Sequence, residues 1–181
     1  MIWNPDGSVA EMSGNGTRIA ARWLSERTGA RDVVVRTGGR GVAARLLDDG
    51  RIEQDMGEVR VLERERIAGL DVTPVSVGNP HAVVVGDPAD IVSIGPLLET
   101  HPRFPRRTNV QVARVDAPGR VTARVWERGV GETRSSGTSA VAVAAATHDR
   151  GRVVITFPGG DLEVQLEGGR ASLTGPAERA E

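Results

Sequence analysis

Two stretches of the sequence decide the fold: residues 4–17, NPDGSVAEMSGNGT, and residues 127–139, ERGVGETRSSGTS. Both follow a tryptophan, and in both a Ser-Gly pair comes after the same interval, as Ser13-Gly14 and Ser136-Gly137. A segment with the composition of a helix follows each pair. The sequence therefore predicts two copies of one arrangement, a glycine-rich turn that leads into a helix.

The two predicted helix starts have the composition of anion-binding sites. Small residues at a helix N-terminus leave the first backbone N–H groups free to bind a ligand, and the helix dipole favours negative charge there. Two such ends in one chain can hold a single anionic ligand from opposite sides. The alternative is that Ser13 and Ser136 are ordinary N-caps. The repetition at equal spacing favours the ligand site.

The composition excludes several classes of chemistry. The 181 residues suit one large domain or two small ones, and the net charge of −1 with scattered arginines argues against nucleic acid as a partner. The sequence has no lysine and no cysteine, which excludes a Schiff-base lysine, a thiolate nucleophile, a disulfide and a cysteine-bound metal. The longest apolar run, residues 140–146, is too short to cross a bilayer, and no signal peptide is recognisable. We therefore expect a cytoplasmic protein that binds neither membrane nor nucleic acid.

The first half of the chain predicts one helix and a set of strands. The helix after Ser13 has an apolar face, which we expect to be buried, and it ends at Gly29. The apolar face is formed by Ile19, Ala20, Trp23 and Leu24, and the opposite face by Arg18, Arg22 and Glu26. Strands are predicted at residues 33–35, 42–47 and 52–56. The last two meet in a hairpin at Asp49-Gly50. Gly39-Arg40-Gly41 resembles a dinucleotide-binding turn, but the segment behind it is too short for a crossover helix.

The second half predicts further strands around a second helix. Residues 63–74 form a polar connection, and Gly78-Asn79-Pro80-His81 separates two strands by a bend that projects Asn79 and His81. The helix at residues 140–146 is apolar on every side, so we expect it to be buried completely. The other elements are a short helix at residues 91–99, interrupted or restarted at Gly95-Pro96, and strands at 109–115, 121–125, 153–157, 162–166 and 171–173. Strands outnumber helices without a βαβ alternation, which predicts an α+β fold.

Four motifs, in the same order, resemble those of the diaminopimelate epimerase family. They are Asn4-x-Asp6-Gly7-Ser8 with Ser13-Gly14-Asn15-Gly16, Gly78-Asn79-Pro80-His81, Arg106-Arg107-Thr108-Asn109-Val110, and Glu127-Arg128-Gly129-x-Gly131-Glu132-Thr133 with Ser136-Gly137-Thr138. The resemblance implies an isomerase of lysine biosynthesis that needs no cofactor and no metal. It implies two similar halves, each a curled, mostly antiparallel sheet around a central helix, which we place at residues 1–70 and 71–181. The first half would be incomplete, with an open sheet edge, because the family has a further segment before the first motif.

The resemblance also implies the residues of the active site. In the family, one catalytic group from each half faces the α-carbon, and helix N-termini hold the α-carboxylate of the substrate. The acid/base positions correspond to Ser13 and Ser136. Substrate contacts are implied for Asn4, Gly14, Asn15, Asn79, Asn109, Glu127, Arg128, Gly137 and Thr138. His81 and Glu127 would tune the catalytic pair. The expected partner is a small-molecule amino acid, and a homodimer is a compatible assembly.

The two catalytic positions depart from the family, in which both are cysteines. A serine hydroxyl is a far weaker acid than a thiol, so it needs a neighbouring base in order to act. His81 is the candidate base, and one histidine cannot serve both faces of the substrate equally. The resemblance implies an amino-acid epimerase or racemase that converts LL- to meso-diaminopimelate. The alternatives are a dehydratase or eliminase on the same scaffold, and an amino-acid-binding protein that has lost the chemistry.

Overall fold

A computed structural model describes residues 14–37 and 40–177 of the chain. Within these ranges the fold is α+β, with three α-helices and thirteen strands. The helices are α1 (Gly14–Thr28), α2 (Ile91–Glu99) and α3 (Gly137–Thr147), and a short 3-10 helix spans Pro88–Asp90. The strands are β1 (Asp32–Thr37), β2 (Arg40–Leu46), β3 (Ile52–Glu58), β4 (Arg60–Val61), β5 (Glu65–Ile67), β6 (Leu70–Ser76), β7 (Pro80–Val85), β8 (Asn109–Ala117), β9 (Arg120–Glu127), β10 (Gly131–Thr133), β11 (Gly151–Phe157), β12 (Gly160–Glu167) and β13 (Arg170–Gly175).

All the described strands belong to one mixed sheet. Their order is β1-β2-β3-β13-β12-β11-β9-β8-β7-β6-β4, with β10 beside β9 and β5 beside β6. Pairing is antiparallel except between β7 and β8 and between β9 and β11. Strand β13, the last of the described strands, pairs with β3 although the two are more than 100 residues apart in the sequence. The α+β class is therefore confirmed, whereas the division into halves at residues 70 and 71 stays a prediction.

Helix α3 is the centre of the main core. Residues 137–144 are all buried, because small and branched apolar side chains occupy every side of the helix. Side chains from β9, β11, β12 and β13 pack in the same core cluster. The predicted complete burial of this helix is confirmed at its N-terminal two thirds. No helix in the described ranges is long and apolar enough to span a bilayer.

Helix α1 packs against β1, β2 and β3 through a face that only partly overlaps the one that the sequence predicted. Its buried residues are Gly14, Thr17, Arg18, Ala21 and Ser25. Ile19 and Trp23, which we expected in the core, are 60% and 51% exposed, and Arg27 lies over the Trp23 ring. The buried face consists mostly of small residues because α1 approaches both the sheet and the start of α3 closely. Ala20 and Leu24, half of the predicted apolar face, do pack against the core, so the predicted orientation was wrong for Ile19, Trp23 and Arg18. The end of the helix at Gly29 is confirmed.

Two other predictions about local structure were also wrong. Residues 63–74 are not a plain connection, since they contain the hairpin of β5 and β6. Its turn, Ala68-Gly69, has φ angles of 50° and 82°, a conformation usually signalled by Asn-Gly rather than Ala-Gly. Helix α2 continues through Pro96 without interruption. It lies directly on Trp126, where a Cβ added to Gly95 would come within 2.7 Å of the indole.

Candidate active site between two helix ends

The N-termini of α1 and α3 meet at Gly14 and Gly137. A Cβ added to Gly14 would lie 2.9 Å from the Cα of Gly137, and a Cβ added to Gly137 would lie 3.0 Å from the Cα of Gly14. Because no side chain fits between them, the two backbones are in direct contact. The positive ends of two helix dipoles therefore share one small region of the molecule. The helix starts of the two sequence motifs lie side by side.

Asn15 and Arg18 fasten the two helix ends to each other. Asn15 Nδ2 donates to the carbonyl of Ser135 at 3.2 Å, and Arg18 Nη2 donates to Asn15 Oδ1 at 2.8 Å. Arg18 also donates to the carbonyls of Gly14 and Pro176. Its side chain is buried, and this burial lowers the pKa of Arg18 to about 10, which leaves the guanidinium charged at neutral pH. Arg18 thus adds a buried positive charge next to the two dipole ends.

Ser136 occupies the N-cap position of α3 with extended backbone angles, but its hydroxyl makes no capping hydrogen bond. The alternative that this serine is an ordinary side-chain N-cap is therefore wrong. Ser136 and Thr138 are both buried at the start of the helix. Ser13 and Asn4, with the rest of the first motif up to that serine, lie outside the described residues. The prediction that Ser13 and Ser136 face one α-carbon of the substrate therefore stays a prediction.

His81 belongs to a chain of polar side chains that ends on α3. Its Nε2 lies 2.9 Å from Asn79 Oδ1, and its Nδ1 lies 3.0 Å from Gln111 Nε2. Asn79 Nδ2 donates to the Thr138 hydroxyl at 3.4 Å, and Gln111 Nε2 donates to the Ser139 hydroxyl at 3.0 Å. We assign the ring proton to Nε2 from these partners, with Nδ1 as an acceptor.

The chemistry of His81 is set by its burial. Burial lowers the pKa of His81 to about 3, and the positive charge of Arg128 acts in the same direction. The ring is therefore neutral at physiological pH, and both of its nitrogens are hydrogen-bonded to protein groups. To take a proton from Ser136 it would have to break one of these bonds. The geometry argues against His81 as the base that activates a serine, whereas its tuning role stays a prediction.

A second group of residues lies beside this chain, at the start of β8 and in the turn between β9 and β10. Asn109 Nδ2 donates to the carbonyl of Pro80 at 3.0 Å, and Asn109 Oδ1 accepts from the backbone N–H of Arg128 at 3.0 Å. Because β7 and β8 are parallel neighbours with His81 opposite Asn109, this group adjoins the bend at Asn79. The guanidinium of Arg128 donates to the carbonyl of Arg106 at 3.3 Å.

The residues implied by the resemblance thus fall into two adjoining groups in the described part of the chain. The first, around the helix ends, comprises Gly14, Asn15, Asn79, Ser136, Gly137 and Thr138. The second comprises Asn109, Glu127 and Arg128, where Glu127 accepts a hydrogen bond from the Thr133 hydroxyl. Within residues 14–37 and 40–177, no group of three His, Cys, Asp or Glu side chains is placed to hold a metal ion.

Sequence reasoning missed several polar residues that hold these groups in place. Gln111 and Ser139 are completely buried, yet Gln111 was assigned to an ordinary strand, and Ser139, the last residue of the second motif, was given no role. Arg18 was assigned to the exposed face of α1. The available signal was a polar side chain in an otherwise apolar row, such as Gln111 between Val110 and Val112, because such a group is retained in a core only with hydrogen-bond partners.

Comparisons with known proteins agree on one family. The family model described as diaminopimelate epimerase matches residues 73–180. A diaminopimelate epimerase from Thermobifida fusca is 46% identical over 188 aligned positions, which cover 96% of this chain and 68% of that protein. Another from Pelotomaculum thermopropionicum is 40% identical over 209 positions, which cover 98% of this chain and 74% of that protein.

Solved structures show the same fold at low sequence identity. A hydroxyproline epimerase from Agrobacterium vitis superposes with a TM-score of 0.72 at 20% identity, over 96% of this chain and 65% of that one. A phenazine biosynthesis protein of the PhzF family from Bacillus anthracis superposes with a TM-score of 0.69 at 12% identity, over 94% of this chain and 74% of that one. At these identities the likeness shows the fold alone. The match to the family model and the identity to the relatives, together with the four motifs, establish that the chain belongs to the diaminopimelate epimerase family.

Proposed function

We propose that this chain is a cofactor-independent amino-acid epimerase that acts on the α-carbon of diaminopimelate in lysine biosynthesis. The observation that carries the proposal is the meeting of two helix N-termini at Gly14 and Gly137. The positive ends of two helix dipoles repel each other when they lie side by side, and an anion bound beside them offsets this electrostatic repulsion. The carboxylate of an amino acid is such an anion, and the buried charge of Arg18 favours it further. The relatives named diaminopimelate epimerase supply the substrate class.

In the proposed reaction, the helix ends hold the α-carboxylate of the substrate. When the α-proton leaves, negative charge spreads from the α-carbon into that carboxylate, where backbone N–H groups at the starts of both helices stabilise it. One of Ser13 and Ser136 would take the α-proton from one face as an alkoxide, and the other would donate its hydroxyl proton to the opposite face. Asn79, Asn109 and Arg128 would hold the remaining amino and carboxylate groups of the substrate.

The two serines should limit the rate of this reaction. An alkoxide forms only if a base first removes the hydroxyl proton. His81 is neutral and hydrogen-bonded at both nitrogens, so it is poorly suited to that task. Backbone donors and Arg128 do not depend on the catalytic group. We therefore expect the chain to bind diaminopimelate well and to exchange its α-proton slowly.

Replacing both serines by cysteines should raise the rate of α-proton exchange. In deuterated water with LL-diaminopimelate, we expect the combined Ser13→Cys and Ser136→Cys variant to incorporate α-deuterium at least about 100-fold faster than the unmodified chain, because a thiolate is accessible near neutral pH. Proton NMR measures the exchange and the isomer ratio. Ser135→Cys is the matched control, since it places the same thiol one residue away, and it should leave the rate unchanged.

The same experiment separates the alternatives. Release of water or ammonia would identify an eliminase, and binding without exchange in every variant would identify a binding protein. An unmodified chain that turns over at about 1 s⁻¹ or faster would contradict the assignment of the serines as a limitation. Failure of the chain to bind diaminopimelate at all would contradict the proposed function itself.

A further inference from the structure

The carboxylate of Glu99, the last residue of α2, is buried and accepts hydrogen bonds at both oxygens. Oε1 accepts from the backbone N–H of Gly129 at 2.8 Å, and Oε2 accepts from the indole Nε1–H of Trp126 at 2.7 Å. Arg107 Nη1 lies 3.5 Å from Oε1. A negative charge at the C-terminus of a helix is unfavourable to the helix dipole. The position of this carboxylate is therefore explained by what it binds and not by α2 itself.

The turn that Glu99 binds is the one that carries Arg128. The Cα of Arg128 lies between two peptide groups, and both are held by side chains from other elements. The N–H of Arg128 binds Asn109 Oδ1 from β8, and the N–H of Gly129 binds Glu99 Oε1 from α2. Because peptide groups are planar, fixing the planes on both sides of a Cα fixes its φ and ψ angles. The direction in which the Arg128 side chain leaves the backbone is thereby set.

Helix α2 is itself held firmly, so Glu99 is a rigid support for the turn. Gly95 lies flat against Trp126, with no room for a side chain between them. The carbonyl of Glu99 accepts the N–H of Thr108 at 3.2 Å, which ties the end of α2 to the residue before Asn109. Glu99 thus contacts the start of β8, the end of β9 and the turn after β9.

We propose that Glu99 is a positioning residue that fixes the conformation of Arg128 for substrate binding without touching the substrate. This inference rests on the proposed function, which gives Arg128 a substrate to hold. Glu99→Gln is the sharpest test, because the amide has the shape of the carboxylate but only one acceptor oxygen. Its NH₂ group must face either the Gly129 N–H or the Trp126 N–H, and two donors cannot bond to each other.

We expect Glu99→Gln to weaken diaminopimelate binding at least tenfold, measured by calorimetry. Glu163→Gln is the matched control. It removes a partly buried carboxylate that has two arginine partners and lies on β12, which β11 separates from β9, and it should change the affinity less than twofold. A double-mutant cycle then tests whether Glu99 acts through Arg128. In an Arg128→Ala background, Glu99→Gln should change the affinity less than twofold. An equal loss in both backgrounds, or no loss in the unmodified background, would overturn the inference.

Amide hydrogen exchange without ligand separates this inference from the proposed function. In Glu99→Gln, the amide of Gly129 should exchange at least tenfold faster than in the Glu163→Gln control, while the amides in the middle of β8 stay unchanged. Unchanged exchange at Gly129 would overturn the inference whatever the chain binds. Fast exchange at Gly129 in a chain that binds no diaminopimelate would leave Glu99 as the residue that orders the turn and would contradict the proposed function alone.

Discussion

A single buried histidine makes the stability of the molecule depend on pH. His81 has a pKa of about 3 in the folded protein, mainly because of burial, whereas an exposed histidine has a pKa near 6.5. Between these values the unfolded chain binds more protons than the folded one, so folding stability rises with pH. The contribution of His81 is complete above about pH 6.5 and is lost as the pH falls towards 3.

Replacing this histidine should remove its share of the pH dependence. We expect His81→Gln to reduce the slope of unfolding free energy against pH near pH 5 by about 1.4 kcal/mol per pH unit, the value for one proton. Urea denaturation at a series of pH values measures the slope. Above about pH 7.5 the two proteins should have the same slope, which serves as an internal control. Equal slopes at pH 5 would show that His81 is protonated in the folded state.

At the scale of elements, the contact between the starts of α1 and α3 leaves no room for a methyl group. Gly137→Ala should lower the free energy of unfolding by about 1–3 kcal/mol, because the new Cβ would lie 3.0 Å from the backbone of Gly14. It should also weaken diaminopimelate binding, since the helix ends must move apart. Thermal unfolding and calorimetry measure the two effects.

Gly86→Ala is the control for that substitution, because its Cβ would meet only Val112 Cγ1 at an ordinary contact distance of 3.8 Å. Its effect on the free energy of unfolding should stay within about 0.5 kcal/mol. A Gly137→Ala variant as stable as this control would mean that the two helix ends are not in contact in solution.

The elements also show how far local sequence determines structure here. The burial of α3 followed from its composition alone, since a helix that is apolar on every side has no face for water. The burial of Arg18 on α1 did not follow, because it depends on the carbonyl of Pro176, 158 residues away. The same holds for Glu99, whose partners Trp126 and Gly129 follow it by 27 and 30 residues. The periodicity of a helix sequence cannot predict a hydrogen-bond partner that comes close only in the tertiary fold.

The site follows the same rule. The repeated Ser-Gly pair predicted two helix starts. The second, at Ser136 and Gly137, begins α3 and contacts the start of α1 at Gly14. Gln111 and Ser139, which hold β8 against α3, were not marked by the repetition. Each has an unremarkable place in its own element, and its importance arises only when strand β8 and helix α3 face each other across the core.

At the scale of the whole molecule, β13 joins β12 to β3, more than 100 residues earlier in the chain. Leu173 on this strand is completely buried, and its Cδ2 reaches the start of α3. Leu173→Ala should therefore lower the free energy of unfolding by about 2–5 kcal/mol, as expected for a large-to-small change in a core. Val34→Ala is the control, because that side chain is 60% exposed on β1, and its effect should be about 0.5 kcal/mol or less. Urea denaturation measures the free energy of unfolding of both variants. Similar midpoints would contradict the prediction that Leu173 on β13 is a main contributor to the stability of the core.

The pairing of β13 with β3 also sets the order in which the molecule can assemble. Arg170 and Asp55, an ion pair across these two strands, are 115 residues apart in the chain. While a ribosome is still making residues 170–176, β3 has β2 beside it but lacks β13, and α1 lacks the Pro176 carbonyl that Arg18 binds. The buried hydrogen bonds of the helix that begins at Gly14 are therefore complete only after residue 176 has been synthesised. Such distant contacts give slow folding, on the order of milliseconds to seconds, and they expose the early strands to aggregation in the meantime.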